Sequence, residues 1–155
     1  MVERIRRATV GDQAAIGRLV RRARLNPRAL DWRAFVIAEA DHEPVGVAQV
    51  RRHPDGSREL ASLVVLAEDR GRGIAARMID ALLYDETQPV FTLLDRRYAE
   101  HFTRWGFQPI PATDLPDSLK RQLRLGQVVT GIGSLIRRQR IRLIPMRRPS
   151  QTPGG

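Results

Sequence analysis

Arg70-Gly71-Arg72-Gly73-Ile74-Ala75 sets two glycines between an apolar run at 60–67 and a stretch of helical periodicity at 74–83. Strand, glycine turn and helix, in that order, leave the first helical N–H groups without intrahelical partners, facing whatever lies above the helix start. Free donors and the positive end of the helix dipole favour an anion there, most often a phosphate. Gly71 and Gly73 permit torsions that a side chain would forbid and remove bulk that would hold a phosphate away. The segment is predicted to be a phosphate cradle.

The flanking elements follow from periodicity and turn chemistry. Residues 3–8 read as a first strand. Thr9 and Asp12 form a capping-box-like start to a helix whose stripe is Ile16, Leu19, Val20 and Ala23. Pro27 is expected to end that helix and to open a short second one capped by Asn26. Strands are predicted at 34–40, 45–51 and 59–67, separated by polar turns, the second of them His53-Pro54-Asp55-Gly56. Together they suggest an antiparallel meander. A strand at 89–94 and a helix at 96–105, closed by Gly106, come next. Asp114 is expected to start a short helix carrying Leu119 and Leu123, and 140–143 alternates as a half-exposed strand does. The stretch 125–136 is apolar and reads equally as helix or strand. Residues 149–155 have the composition of a disordered end.

Two phosphate-binding readings fail. No Lys-Ser/Thr follows the glycines, which excludes a P-loop. A dinucleotide fold requires a parallel unit first, whereas three antiparallel-looking strands precede this turn.

The element order and two motifs resemble the GNAT superfamily of acetyl-CoA-dependent N-acetyltransferases. The family pattern Gln/Arg-x-x-Gly-x-Gly/Ala is met by Arg70, Gly73 and Ala75, and its preceding strand by Leu63-Val64-Val65. A second signature, an aromatic followed by Gly-Phe, is met by Phe102, Gly106 and Phe107. The resemblance spans roughly residues 3–110. It implies an α+β fold with a mixed, mostly antiparallel central sheet and helices on both faces. The 94–107 region alone is also similar to the acetyltransferase domain of N-acetylglutamate synthases.

This resemblance implies a site. Backbone amides of Arg72 to Ala75, with Gly71, Ile74 and the Arg70 guanidinium, would hold the pyrophosphate of acetyl-CoA. The pantetheine arm would lie along Leu63, Val64 and Val65 like an added strand, with Phe102 also on the cofactor side. The Val65 N–H would stabilise the oxyanion of the thioester carbonyl. Glu59 sits where some members carry a carboxylate base acting through water, and a solvated strand end paired with Arg58 or Arg51 is the alternative. Phe102 occupies the place of the tyrosine acid found in many members, so Tyr98 and His101 are the substitutes. His42 and His53 lie in turns with no constellation around them. No metal is implied. The function implied is acetyl transfer to a primary amine on an amino acid, small molecule or peptide.

Charge and composition frame the alternatives. One domain over 1–148 is expected from 155 residues. The absence of cysteine excludes thiolate chemistry. No apolar run is long enough to span a bilayer and the start lacks a signal-peptide pattern, so a cytoplasmic protein without membrane partners is expected. The net charge is +10, but residues 1–115 hold 18 Arg against 16 acidic groups, while 116–155 hold eight Arg and one Lys against one acidic group. A nucleic-acid-binding module using Arg137, Arg138, Arg140, Arg142, Arg147 and Arg148 is therefore the rival from another class. Solvated faces of the last strands are the preferred reading of those arginines, so nucleic acid is not expected as a partner. A third reading keeps the fold as an acyl-CoA binder with a lapsed catalytic site. Residues 125–136 are read as cover for the acceptor site or as the seam of a homodimer.

Overall fold

The computed structural model describes residues 4–124 and 142–152. Strands β1 (Arg4–Arg7), β2 (Phe35–Ala40), β3 (Glu43–Arg52) and β4 (Arg58–Val65) form an antiparallel meander. Strand β5 (Val90–Asp95) joins β4 in parallel. The strands β6 (Gln108–Pro109) and β7 (Leu143–Arg148) complete one sheet in the order β1-β2-β3-β4-β5-β7-β6. The α-helices are α1 (Gln13–Arg22), α2 (Ile74–Leu83), α3 (Ala99–Phe102) and α4 (Asp117–Arg124).

Every residue of β2 is buried, the mark of a strand covered on both faces. Val36 and Ala38 pack with Met78, Ile79 and Leu82 of α2, and Phe102 of α3 joins that cluster. Phe35 and Ile37 point the other way, onto Ile16, Leu19 and Val20 of α1. Leu119 of α4 packs on Leu93 and Leu115. The alternation of a strand and the stripe of each helix thus produce helices on both faces of a mostly antiparallel sheet, as expected.

Departures from the sequence reading have local causes. No helix opens at Pro27; the short 3-10 turn that follows, Trp32–Ala34, is capped by Asp31 rather than by Asn26. Arg24 and Ala29 adopt left-handed torsions, and the Asn26 side-chain oxygen accepts from the Arg28 N–H at 3.0 Å, a turn that competes with a helix. Gln13 pins this loop, donating to the Leu30 carbonyl at 2.6 Å and accepting from the Trp32 N–H at 3.0 Å. The helix expected over 96–105 breaks into a 3-10 turn, the four residues of α3 and another 3-10 turn, ended by left-handed Gly106. The Asp95 carboxylate accepts the Arg97 N–H at 3.0 Å and starts the stretch as a tight turn. Helix α4 begins at Asp117 rather than Asp114, because Leu115 is held extended before Pro116. Of the strand expected at 140–143, residues 140 and 141 lie outside the described residues, and the strand described there runs over Leu143–Arg148. Past it, Gln151 N–H donates to the Thr87 carbonyl at 2.8 Å, which ties down part of the tail expected to be disordered. The stretch 125–136 and the arginines at 137, 138 and 140 lie outside the described residues. Among the described residues no helix is long and apolar enough to cross a membrane.

Candidate active site

Strands β4 and β5 pair only at Arg58↔Val90 and Glu59↔Phe91 and then part. Beyond Glu59, Leu60 to Val65 pair with no strand on that side among the described residues, although the Thr92 hydroxyl donates to the Leu60 carbonyl at 3.0 Å. On the other side, Ser62 adopts a left-handed φ of 54° beside a register shift in the β3–β4 ladder. Leu66 N–H donates to the Val45 carbonyl of β3, so strand alternation turns the Val65 N–H toward the parted side.

A cavity of about 330 Å³ occupies the gap. Leu63 and Val65 line it from the strand, and Arg70, Gly71, Gly73, Ile74 and Ala75 from the turn and the start of α2. Gly71 and Gly73 have φ of 79° and 75°, and a Cβ built on either would stand in open space. These two positions therefore require left-handed torsions and leave a concavity above the helix start. The earliest helical bond here is from Arg77 N–H to the Gly73 carbonyl, which leaves the N–H groups of Ile74, Ala75 and Ala76 without one. Arg70 donates from Nε to the Val65 carbonyl at 3.1 Å, which anchors its guanidinium beside the gap.

The remaining predicted positions divide. Val64 faces the α1 side of the sheet, in the core with Ile16 and Val20. Arg72 stands 3.7 Å from Asp69 and is not among the lining residues. Phe102 is fully buried, packed edge-on against Trp105 and Phe107, and presents nothing to the cavity. His101 does line it, its ring edge-on to Trp105 at 5.5 Å. Tyr98 does not; it packs against the core and carries the Arg97 guanidinium over its ring at 5.6 Å. Arg104, which the sequence reading passed over, also lines the cavity and lies 4.6 Å from the Trp105 ring centre. Its spacing of three from His101 in a helical stretch was the available signal.

Glu59 stands where the two strands part, and its side chain is fully buried. That removes the solvated strand end as a reading. Three side chains donate to its Oε1: Arg51 Nε at 2.9 Å, His53 Nε2 at 2.8 Å and Gln122 Nε2 at 3.3 Å. Among the described residues its Oε2 is buried with no partner. Arg58, the other expected partner, pairs with Glu86 instead. His53 does have a constellation, contrary to expectation, because the hairpin folds its ring back onto Glu59. Gln122 was missed altogether; it is brought in by α4. Beside this cluster, a second cavity of about 570 Å³ is lined by Gln49, Arg51, His53 and Arg33. Among the described residues, no three His, Cys, Asp or Glu side chains gather as metal ligands. Of the C-terminal arginines, Arg148 is engaged internally, donating to the carbonyls of Trp105 and Glu86 at 3.0 and 3.1 Å.

The model of the acetyltransferase (GNAT) domain matches residues 31–109. No curated protein matches the chain. Among solved structures, the chain is similar to N-acetylglutamate synthase from Neisseria gonorrhoeae complexed with coenzyme A and N-acetyl-glutamate. There the TM-score is 0.70 at 22% identity, over 96% of this chain and 35% of that one. This chain thus spans about a third of that synthase. Rv2747 from Mycobacterium tuberculosis, complexed with CoA, superposes at TM-score 0.67 and 21% identity over 96% of this chain and 99% of its own. Diaminobutyrate acetyltransferase EctA from Paenibacillus lautus, complexed with L-2,4-diaminobutyric acid and coenzyme A, gives 0.64 at 16% identity, with 100% of each chain covered. At these identities the likeness is one of fold.

Proposed function

This chain belongs to the acetyltransferase (GNAT) domain family, and from that membership we propose that it moves an acetyl group from acetyl-CoA to a primary amine, which attacks the thioester directly. The parting of β4 and β5 beyond Glu59, beside the glycine turn, carries this reading. It leaves a strand edge for an extended pantetheine arm and a concavity with free N–H groups for a pyrophosphate. Arg70 and Arg104 add positive charge at the same cavity.

Acetyl-CoA supplies a carbonyl already activated as a thioester. The protein supplies placement and proton handling. The Val65 N–H, turned toward the gap, stabilises the developing oxyanion. Glu59 is the base, since among the described residues its Oε2 has no partner while its Oε1 is held. A lysine-type amine, with an ordinary pKa of about 10.4, needs such a base at neutral pH far more than an α-amine near 8. A thiol of pKa about 8.5 is a tolerable leaving group without an acid. His101 is the better placed of the two acid candidates, because it lines the cavity and Tyr98 does not. Amino-acid acceptors are favoured by the ligands of the synthase and of EctA.

The test is coenzyme A release by purified protein over a panel of amino acids, polyamines, arylalkylamines and basic peptides at several pH values. Turnover of any primary amine supports the reading; none across the panel overturns it. A binder with a lapsed site is the second reading, favoured by the burial of Phe102 where a tyrosine acid would stand. It expects acetyl-CoA to raise the melting temperature with no amine consumed.

A further inference from the structure

Arg51 is a buried residue, at 9% exposure, yet its guanidinium is only partly used. Its Nε donates to Glu59 Oε1 at 2.9 Å. Among the described residues its two Nη groups have no partner, and neither is sealed from solvent. Arg51 lines the cavity of about 570 Å³, together with Arg33, Arg52 and His53. One wall of that cavity belongs to the loop at 29–34, which Gln13 holds through the Leu30 carbonyl and the Trp32 N–H. A guanidinium has two-pronged edges. Glu59 takes the Nε of one edge, and the edge formed by the two Nη groups still offers parallel N–H donors.

Charge decides what fits there. Asp31 offsets Arg33 at 3.2 Å, and Glu59 offsets Arg51. Arg52 is exposed and has no acidic partner among the described residues, so the cavity carries one uncompensated cation. Three guanidiniums along one cavity disfavour a metal ion. A phosphate dianion overshoots the balance and meets Glu59 across the Arg51 side chain. A carboxylate brings a single charge and two oxygens at the spacing of the free Arg51 edge. The volume lies in the range of small-molecule sites.

We propose that this cavity is a carboxylate-binding site, with the free edge of Arg51 as its buried contact and Arg52 as its exposed charge. The binding stands on the cavity alone. Its bearing on the choice of acceptor rests on the acetyl-transfer reading. Because Arg51 touches Glu59, a carboxylate held on the free edge lies within about 8 Å of the Glu59 carboxyl, two hydrogen bonds and a guanidinium away. An acceptor that carries its carboxylate a few bonds from its amine spans that distance. A free carboxylate acting as an effector is the other source of the same chemistry.

The experiment is an NMR titration of the protein at pH 7 with sodium butyrate, following backbone amides at 29–34 and 49–53, with butyramide and sodium phosphate as controls. Butyrate is expected to shift these signals saturably and butyramide to leave them in place, since the amide matches it in size and lacks the charge. Arg51→Lys keeps a positive charge beside Glu59 but loses the two-pronged edge, so the butyrate Kd should rise about tenfold. Arg52→Gln should raise it about threefold, whereas Arg18→Gln, on the exposed face of α1, should leave it unchanged. Melting curves check that each variant is folded. No saturable shift with butyrate, equal shifts with butyramide, tighter binding of phosphate, or wild-type affinity in both Arg51→Lys and Arg52→Gln overturns the proposal. Turnover assays with 4-aminobutyrate and 4-aminobutyramide separate the two sources. A lower KM for the acid that both variants erase puts the carboxylate on the acceptor, while butyrate that alters the rate without competing with the acceptor is an effector. Butyrate binding with no amine turnover overturns acetyl transfer and leaves the site standing; turnover without butyrate binding does the reverse.

Discussion

Arg51 Nε–H donates to Glu59 Oε1 across 2.9 Å in an ion pair where the Arg51 side chain is 11% exposed and that of Glu59 not at all. The pair is cross-strand, set by the Arg51↔Glu59 register of β3 and β4. Taking one member away leaves the other charged and buried, at a cost of about 3–5 kcal/mol. Arg51→Met is therefore expected to lower the urea midpoint strongly at pH 7. Adding Glu59→Gln should recover part of the loss, because no buried charge then lacks a partner. Equal stability of the single variant and the wild type would show that the pair is hydrated.

Glu59→Gln keeps the shape of the side chain and removes the proposed base, and because it also leaves the Arg51 guanidinium without its carboxylate, rates are compared well below the variant's own melting temperature. The rate is expected to fall by about 10²–10⁴. The deficit should be largest at low pH, where the amine is most protonated and depends most on a base. It should narrow as the pH approaches the amine's own pKa. Affinity for CoA should hardly move, since the cradle lies at the far end of β4. A uniform loss at every pH would point to a damaged site instead.

Gly73 has φ of 75°, in the left-handed region, with open space around an added Cβ. Gly73→Ala meets no clash, so its penalty is conformational, about 1–2 kcal/mol. The added methyl also enters the concavity above α2. A modest fall in melting temperature and a larger fall in CoA affinity are expected, measured by thermal shift and by titration. Unaltered CoA affinity would place the phosphates elsewhere.

Arg6 joins β1 to the start of α1 by donating to Asp12 at 2.7 and 2.9 Å, while its Nε reaches Glu39 of β2 at 2.6 Å. The Arg6 guanidinium holds the Asp12 carboxyl at about 2, below its ordinary 3.8. Arg4, followed by Arg6, holds Glu39 below the usual carboxylate range as well. A depressed carboxyl contributes stability that is present above its unfolded value and is lost as pH falls through its folded value. For Asp12 the window runs from near pH 4 down to about 2. Its contribution is about 2 kcal/mol. Denaturation midpoints of the wild type should fall across that window. Arg6→Met should be less stable at pH 7 and should converge with the wild type once the carboxyls are protonated.

The glycine turn and α2 were legible because they are contiguous. A strand, two glycines and a helical stripe announce themselves within about twenty residues, and α2 falls on the 74–83 stretch read from periodicity. The meander was legible for the same reason, with strand ends displaced by one or two residues. Less legible was 96–105, where aromatic packing among His101, Phe102 and Trp105 looks helical in sequence but breaks into short turns. The loop after α1 was misread because Gln13, a helix residue, supplies the bonds that hold it.

The sequence by itself determined the glycine turn before α2, the order of elements and the family they resemble, since each is written in local patterning. Tertiary structure alone decided what Glu59 is. Its burial depends on β3 and β5 pairing at its two sides, its three donors come from a hairpin and from α4 some sixty residues away, and its free oxygen exists only because those donors converge on the other one. Periodicity records which face a residue is on. Which side chains meet there is set by strand register and helix docking, and those are settled only when the sheet assembles.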